Sequence, residues 1–350
     1  MIDKTEQEIM KNWEGNPTSP IVSICVITYN HGPYIAEAID SFLMQETDFP
    51  FEIVIRDDKS TDNTVSITKH YSEKYPQLIK VLDSSLNIGM NKNFRTVFDA
   101  AKGTYIALCE GDDFWCDKNK LQYQYKIACY NREIDFIIHA CYSVRSDSTK
   151  LKQNKNRFFG NAEYQRFSYQ DILSYSGQFA PTSSYFIKTS ILKNLPIWLD
   201  EAPIGDIFLE LYAAKSNGGI YLPEIMSCYR IESIGSWTDT MKQSLPQKKI
   251  EYAEQMIVAI ENTKKDFPHE SSSFDKKINA LYFIMATAFL ELSNFKKFQM
   301  FIKPKSGPYV STYHKLLSFS SKNLIFSKII MYIYKKIKIL QSKQFRLKVK

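Results

Sequence analysis

The sequence predicts an α/β fold: a mostly parallel, twisted sheet flanked by helices, with a helical extension at the carboxyl terminus. Two observations lead to this fold class. Short apolar, β-branched runs alternate with helical segments over the first 110 residues, as in parallel strands joined by crossover helices. Beyond residue 240, apolar residues recur at helical spacing instead. At 350 residues the chain is long enough for more than one compact unit.

Four apolar runs near the amino terminus are predicted to be strands. They are residues 21–28, 51–56, 78–82 and 104–109. The segments between them carry helix signals: Pro33 near the first turn of the first segment, Asp and Asn capping residues before the second, and Gly103 closing the third. Each predicted helix therefore connects one strand to the next.

The predicted organisation has four parts: an arm (1–19), two halves of an α/β domain (20–125 and 126–240) and a helical extension (241–350). The arm lacks the apolar run of a secretory signal peptide. The six cysteines show no zinc-ligand spacing, and Cys25 and Cys109 lie in apolar strand-like runs, as buried free thiols do. Free thiols suit a reducing compartment, so we expect a cytoplasmic location.

Positive charge is concentrated at the carboxyl terminus. Residues 296–350 contain 14 Lys and Arg and no Asp or Glu, whereas the other 295 residues contain 31 basic and 38 acidic side chains. Within this tail, residues 322–340 space isoleucines at helical intervals among lysines, and no uncharged run is long enough to span a bilayer. The pattern predicts a helix lying on an anionic membrane surface, with packing on the protein body as the alternative. No RNA-recognition motif appears, so nucleic acid is not an expected partner.

Polar residues follow three of the predicted strands directly. They are Tyr29 and Asn30 after the first strand, which ends at Thr28; Asp57 and Asp58 after the second; and Glu110, Asp112 and Asp113 after the fourth. The carboxyl ends of parallel strands line the ligand crevice of an open sheet, so we expect these side chains to share a site. A solvated acidic turn is the alternative, because crowded carboxylates repel one another.

The absence of certain motifs excludes some classes of ligand. No GxGxxG follows the first strand and no GxxxxGK[ST] occurs, which argues against a dinucleotide or P-loop site. Phosphate would then be held mostly through a metal, and Mn²⁺ or Mg²⁺ takes one or two carboxylates in such sites. Asp112 and Asp113 supply that number, and no cluster of His and Cys offers a zinc site.

Three segments resemble family 2 glycosyltransferases of the GT-A fold. They are VSICVITYNHGPYIAEAIDSFLMQ (22–45), FEIVIRDDKSTDNT (51–64) and GTYIALCEGDDFW (103–115). The resemblance covers roughly residues 20–240. It implies metal-dependent, inverting transfer of a sugar from a nucleoside diphosphate sugar, UDP-sugar in the first place, to an acceptor hydroxyl. Residues 20–125 would bind the donor and 126–240 the acceptor. With the tail, the resemblance indicates bacterial surface polysaccharide assembly on a lipid carrier.

The resemblance also implies roles on the nucleobase side. Tyr29, between Thr28 and Asn30, would stack on the base, unless it is a half-buried core residue. Asp58 would accept the imide N–H of the base, with a turn-stabilising Asp as the alternative.

The diphosphate side has its own candidates. By the resemblance, Asp112 would bond the ribose hydroxyls and Asp113 would bind the metal. Asn87 and Arg95 belong to a stretch that the family places near the donor, although capping and surface roles are open to both.

An acidic residue on the acceptor side is expected to be the general base, because inverting transfer requires removal of the acceptor proton. Residues 202–231 resemble the family's acceptor segment, which places Asp206 in that role. A helix N-cap is the alternative for Asp206, and Glu201 and Glu210 are lesser candidates for the base.

Residues 229–237 resemble a loop that closes over the donor. The family often has His where this chain has Glu232, which could be a further metal ligand. Trp237 could cover or stack on the sugar, or pack in the core.

Two other functions are compatible with the fold. One is a catalytically inactive protein that binds nucleotide sugars or acts as a scaffold. The other is a nucleotidyltransferase, which shares this sheet topology. A nucleotidyltransferase would need a loop rich in Gly and Arg after the first strand, and YNHGPY does not provide one.

Overall fold

A computed structural model describes residues 3–154, 164–175, 177–231, 233, 241, 244–305, 307 and 309–348, with the backbone alone for 152–154 and 338–348. The chain divides into two compact units, residues 1–239 and 240–350.

The first unit is built around one sheet, whose described part has ten strands. The strands are β1 Val22–Thr28, β2 Phe51–Asp57, β3 Ile79–Val81, β4 Tyr105–Leu108, β5 Phe114–Trp115, β6 Phe136–Val144, β7 Lys150–Asn154, β8 Gln165–Phe167, β9 Phe186–Lys188 and β10 Gly219–Arg230. The helices are α1 Glu6–Met10, α2 Ile35–Leu43, α3 Thr64–Lys74, α4 Met90–Ala100, α5 Lys120–Tyr130, α6 Tyr169–Ser174, α7 Thr189–Lys193 and α8 Asp206–Ala213. Short 3₁₀ turns lie at Thr182–Ser184 and Ile197–Glu201.

The strand order is β3-β2-β1-β4-β9-β6-β10-β5, with β7 on β6 and β8 on β10. The strands β3, β2, β1 and β4 run parallel to one another. The short strand β9 runs antiparallel to both β4 and β6, and β10 is parallel to β6 but antiparallel to β5 and β8. The α/β fold class is confirmed; the sheet is parallel through its first four strands and mixed beyond them.

Strand β1 does not alternate between apolar and polar residues, because both of its faces are buried in the core. All seven residues of β1 are buried, since the strand pairs on both edges with β2 and β4 and helices cover the sheet. Cys25 and Cys109 are buried free thiols, as expected.

Gly103 has a different role from the one predicted. Helix α4 ends before Ala101, whose backbone is already extended, so Gly103 does not close the helix. A Cβ atom at Gly103 would lie 2.5 Å from the backbone nitrogen of Ser23. The glycine therefore permits the chain to pass close to β1, where its N–H donates to Ser23 Oγ at 2.8 Å.

The described part of the second unit is helical. Its helices are α9 Pro246–Asp266, α10 Ser271–Glu291, α11 Phe295–Phe301, α12 Thr312–Ser320 and α13 Leu324–Lys348. Helices α9 and α10 pack on each other, and α10 packs on α11 around buried residues such as Phe274, Leu290 and Phe298. Among the described helices, none combines the length and apolar character needed to cross a membrane.

Candidate active site

The predicted polar segments meet at one edge of the sheet. Strand β1 pairs in parallel with β2 and β4, which places their carboxyl ends side by side. The N–H of Asp58 donates to the carbonyl of Thr28 at 2.8 Å, and the N–H of Gly111 donates to the carbonyl of Ile27 at 3.0 Å. The loops that follow β2 and β4 therefore both begin against the end of β1.

Tyr29 presents its ring at the surface of this edge, with 47% of the residue exposed. The next residue, Asn30, adopts a left-handed backbone with φ of 55°, which Asn tolerates better than most side chains. Its Oδ1 accepts from the N–H of Thr61 at 2.8 Å, and its own N–H donates to Ser60 Oγ at 2.7 Å. Asn30 thus joins the loops after β1 and β2 and fixes the backbone beside Tyr29.

Thr28 lies beneath the acidic segment. Its Oγ1 is buried and has no hydrogen-bond partner among the described residues. A Cβ atom on Gly111 would lie 2.7 Å from that Oγ1 and 2.9 Å from Ile35 Cδ1. Only glycine at position 111 therefore lets the acidic segment approach β1 this closely.

Asp58 is buried and holds the following loop in place. Its carboxylate accepts from Arg56 Nη1 at 3.0 Å and from the N–H groups of Ile88 and Gly89 at 2.8 and 2.9 Å. The Asn87 side chain donates to the carbonyl of Asp58 at 2.9 Å. A carboxylate has about four acceptor positions, and three of those of Asp58 have donors described here.

Arg95 does not reach this edge. Its Nε donates to Asp200 at 2.6 Å, and its Nη1 and Nη2 donate to the carbonyls of Leu195 and Pro196 at 3.2 and 2.9 Å. Its side chain ties α4 to residues 195–200. A donor role for Arg95 stays a prediction.

The two aspartates of the acidic segment differ in accessibility. Asp113 is buried, and its Oδ1 accepts from the N–H of Arg230 at 2.7 Å. Asp112 is partly exposed, and its Oδ2 accepts from Ser233 Oγ at 2.8 Å and lies 3.9 Å from His31 Nε2. The end of β10 therefore orients Asp113, while Asp112 faces solvent beside β1.

Arg230 is a site residue that sequence reasoning missed. It is buried, its Nε donates to the carbonyl of Asp112 at 2.7 Å, and its Nη2 donates to Glu37 at 2.8 Å. Its guanidinium also lies 4.5 Å above the ring of Tyr34. The available signal was a single basic residue ending a long apolar strand. Arg230 couples the acidic segment to α2.

A second brace lies behind the acidic segment. Trp115 Nε1 donates to the carbonyl of Ser183 at 3.0 Å, and Gln124 Nε2 donates to the carbonyl of Ser184 at 3.0 Å. The fully buried Lys120 places its Nζ 3.9 Å from the centre of the Trp115 ring, and burial lowers the pKa of this lysine to about 7. These contacts fix β5 and α5 against the 182–184 turn.

Four carboxylates share one electrostatic environment. Burial raises the pKa of Glu110 well above its usual range, and the charges of Asp206, Asp112 and Asp113 raise it further. The pKa of Tyr229 on β10 is also raised, mainly by burial and further by the charges of the same four carboxylates. The charge of Asp206, far away in sequence, therefore acts on the acidic segment that follows β4.

Asp206 is the first residue of α8 and does not cap it. The N-cap is Gly205, so the N-cap alternative is wrong. The Oδ1 of Asp206 is buried and has no hydrogen-bond partner among the described residues, and burial raises the pKa of this carboxyl to about 6. Buried polar atoms are usually paired, so an unpaired oxygen here is available to a ligand.

The lesser candidates for the base are occupied. Glu210 is fully buried and accepts from the N–H groups of Phe179 and Ala180 at 2.9 and 2.8 Å and from the Tyr185 hydroxyl at 2.6 Å. Burial raises the pKa of Glu210 to about 8. Glu201 is exposed and pairs with Lys92 at 2.6 Å. Neither presents an unoccupied carboxylate to the acidic cluster.

Glu210→Ala is expected to lower the free energy of unfolding by about 2 kcal/mol or more, because the buried N–H groups of Phe179 and Ala180 lose their acceptor. The Tyr185 hydroxyl can still donate to the carbonyl of Ala180 at 3.0 Å. Urea denaturation measures the effect. Glu201→Ala is the control on the same side of the domain and should change stability by less than about 0.5 kcal/mol. Equal stability losses in the two variants would show that Glu210 is not a structural anchor.

Glu232 and Trp237 lie outside the described residues. Their predicted roles, as metal ligand and as a residue at the sugar, stay predictions.

The acidic segment fits a divalent cation only in part. Within the described ranges, no three or more His, Cys, Asp or Glu side chains are grouped to hold a metal ion. Asp112 and Asp113 are two neighbouring hard oxygen donors, the number that Mg²⁺ or Mn²⁺ uses when substrate phosphates and water complete its shell. The residues present therefore suit a cation that binds together with a phosphorylated substrate.

A family comparison agrees with this geometry. Residues 23–194 match the model of the family described as glycosyl transferase family 2. Residues 23–194 belong to glycosyl transferase family 2. This family 2 segment contains Tyr29, Asp58, Asp112 and Asp113, and it ends before Asp206.

Relatives by sequence cover a similar part of the chain. An uncharacterized protein of Mycobacterium tuberculosis is 35% identical over 222 residues, which are 62% of this chain and 60% of the relative. An uncharacterized glycosyltransferase of Methanocaldococcus jannaschii is 28% identical over 183 residues, 52% of this chain and 60% of the relative. The chain thus spans about 60% of the length of these curated relatives.

Solved structures show the same fold. TarS residues 1–349 of S. aureus, in complex with UDP-GlcNAc, match with a TM-score of 0.62 and 18% identity, covering 90% of this chain and 91% of that one. The mannosyltransferase PcManGT of Pyrobaculum calidifontis, in complex with GDP-Man and Mn²⁺, matches with a TM-score of 0.53 and 16% identity, covering 91% and 88%. The family 2 segment has the GT-A fold.

Proposed function

We propose that this protein is an inverting, metal-dependent glycosyltransferase that moves a sugar from a nucleoside diphosphate sugar, UDP-sugar first, to an acceptor hydroxyl. One observation carries the proposal. Within the family 2 segment, Tyr29, Asp58 and the acidic pair meet at one edge of the sheet. The charge of Asp206, whose Oδ1 has no hydrogen-bond partner among the described residues, acts on the same acidic segment. The UDP-GlcNAc bound to TarS supports UDP as the first nucleotide to test.

The proposed binding of the donor rests on the exposed ring of Tyr29 and on the acceptor oxygens of Asp58 and Asp112. The exposed Tyr29 ring offers a stacking face for the base, and Thr28 and Asn30 shape the backbone beside it. Asp58 would accept the imide N–H of the base beside its three described donors. Asp112, the more accessible aspartate, would bond the ribose hydroxyls.

The metal proposal assigns Mn²⁺ or Mg²⁺ to Asp113, beside Asp112, with Glu232 as a further ligand. Such a cation would neutralise the charge that develops on the leaving diphosphate. The Mn²⁺ in the mannosyltransferase structure supports this choice of cation.

The acceptor half of the proposal rests on Asp206. The acceptor oxygen would form a bond to the anomeric carbon while the bond from that carbon to the diphosphate oxygen breaks. The proton of the acceptor hydroxyl would pass to the Asp206 carboxylate, whose Oδ1 has no partner among the described residues. With a pKa of about 6, Asp206 is ionised at neutral pH and can act as the base.

The transfer rate should rise with pH through about 6 and then level off, because Asp206 accepts a proton only when it is deprotonated. The measurement is kcat/KM for transfer between pH 5 and 8, with nucleotide affinity determined at each pH as the control. A rate that falls as pH rises, at constant nucleotide affinity, would contradict the assignment.

The proposed acceptor is a glycan or lipid-linked glycan of bacterial surface polysaccharide (O-antigen or capsule) assembly. The proposed location is cytoplasmic and peripheral, at the inner face of the membrane. The strongly basic carboxyl-terminal segment supports this location.

A screen of nucleotide sugars tests the reaction. We expect release of nucleoside diphosphate from at least one donor with Mn²⁺ or Mg²⁺, and none with EDTA. Binding of a nucleotide sugar without turnover, with any acceptor offered, would favour the inactive binding protein. Release of pyrophosphate from a nucleoside triphosphate and a sugar phosphate would instead favour a nucleotidyltransferase.

A further inference from the structure

Helix α13 exposes a stripe of isoleucines. Ile325, Ile329, Ile333 and Ile337 recur every four residues, which places them along one side of the helix, and each is between 46% and 72% exposed. Isolated apolar side chains are common on protein surfaces, but four in line on one helix are a feature that a partner usually covers.

The other side of α13 is the one that packs within the second unit. Ser327 is buried, and the ring of Tyr334 stacks on that of Tyr313 from α12 at 3.7 Å between centroids. Lys335 Nζ pairs with Glu291 at the end of α10 at 2.9 Å. The helix is therefore held in a defined orientation, and the isoleucine stripe is its outward face.

Helix α12, packed against α13, adds to this surface. It exposes Leu316 and Phe319, and the Nζ of Lys315 lies 6.0 Å from the centre of the Phe319 ring. On α13, Lys336 Nζ lies 5.5 Å from the centre of the exposed Tyr332 ring. Exposed lysines thus stand beside exposed apolar side chains on both helices.

Charge identifies the kind of partner. The segment from residue 296 to 350 has 14 basic and no acidic side chains, so no side chain of its own opposes attraction to an anionic surface. A soluble polyanion would bind the lysines but would not bury the exposed isoleucine stripe. An anionic bilayer satisfies both features, since its headgroups attract lysines and its acyl boundary accepts apolar side chains.

We propose that the isoleucine face of α13 lies in the interface of an anionic phospholipid membrane, with the neighbouring lysines on lipid headgroups. This surface extends the proposed location of the enzyme and is separate from the catalytic proposal, because none of its residues belongs to the donor site.

Vesicle sedimentation of the full chain tests the proposal, with phosphatidylcholine vesicles that contain or lack phosphatidylglycerol. We expect binding only to the anionic vesicles, and weaker binding at high salt, because exposed charges are screened over about 8 Å at physiological ionic strength. Ile329→Ser with Ile333→Ser should weaken binding by about tenfold or more. Lys315→Gln, Lys322→Gln and Lys336→Gln together should weaken it by up to about a hundredfold, at about fivefold per charge.

The matched control lies on α9. It combines Val258→Ser with Lys248→Gln and Lys265→Gln, three exposed positions of the same chemistry, and should bind vesicles as the unaltered protein does. Thermal unfolding of each variant shows whether the second unit remains folded.

Three results would overturn the proposal. One is failure of the folded, unaltered chain to sediment with anionic vesicles at low salt. Another is equal loss of binding in the α9 control. The third is a change of oligomeric state in the isoleucine variant without loss of vesicle binding, which would make this face an interface between copies. Release of nucleoside diphosphate, assayed without vesicles, stays informative about catalysis in every case.

Discussion

Asp206→Asn is expected to abolish sugar transfer while leaving nucleotide affinity nearly unchanged. The asparagine keeps the shape of the side chain but cannot take the acceptor proton, and a positioned general base is worth about 10²- to 10⁴-fold in rate. Asp206 begins α8 and would meet the acceptor rather than the nucleotide, so we expect nucleotide affinity to depend little on its charge. Single-turnover transfer and equilibrium titration with the nucleotide measure the two effects separately.

Glu201→Gln is the control for this variant. Glu201 lies five residues earlier in the chain, is exposed and pairs with Lys92, so its substitution should leave transfer within a factor of about two. If Asp206→Asn weakened nucleotide binding as much as transfer, the residue would belong to the donor site and the base would be another group.

Asp113→Asn should reduce transfer by about a thousandfold or more, roughly 4 kcal/mol in the activation barrier. The amide oxygen can still accept from the N–H of Arg230, which preserves the contact between β10 and the acidic segment. What is lost is the negative charge that would bind the divalent cation. Nucleotide affinity should therefore stop depending on Mn²⁺ in this variant, which titration with and without the ion would show.

Asp83→Asn is the control for the loss of one carboxylate. Asp83 is exposed in the loop after β3 and bonds only locally, to Ser85, among the contacts described for it. Its substitution should leave both transfer and the effect of Mn²⁺ unchanged. Transfer within about tenfold of normal in Asp113→Asn, an effect of only ~1.4 kcal/mol, would place the metal role elsewhere.

The first half of the sheet could be predicted because its signals are local. Three of these four strands, β1, β2 and β4, run directly into polar residues, and parallel pairing then brings those ends together. Pairing direction beyond β4 could not be predicted in the same way. Strand β9 has three residues, too few for a periodicity that distinguishes parallel from antiparallel neighbours.

Contacts between distant segments account for the structural roles of Arg95 and Arg230 that the sequence could not show. Arg95 belongs to a helix beginning near the donor loops, but its guanidinium is bound by residues more than 90 positions later. Arg230 reaches the acidic segment and α2 across 118 and 193 positions. Neither pairing has a local pattern, because both depend on how β10 and the 195–200 segment return to the sheet.

Two glycines also make contacts that the sequence could not predict. Gly103 carries the pattern of a helix end, yet its role is to let the chain pass β1. Gly205 similarly leaves room for Asn91, since a Cβ atom there would lie 2.4 Å from Asn91 Oδ1. The sequence shows the glycine that such a close approach requires, but it does not show which residue approaches.

The claim that the carboxyl ends of β1, β2 and β4 form a nucleotide-sugar site is tested most directly by a crystal structure with UDP and Mn²⁺, using anomalous scattering to locate the metal. We predict the uracil against Tyr29 with its imide N–H on Asp58, and one Mn²⁺ peak on the Asp113 carboxylate and the diphosphate. A nucleotide bound at another surface, with no metal at the acidic segment, would contradict the account.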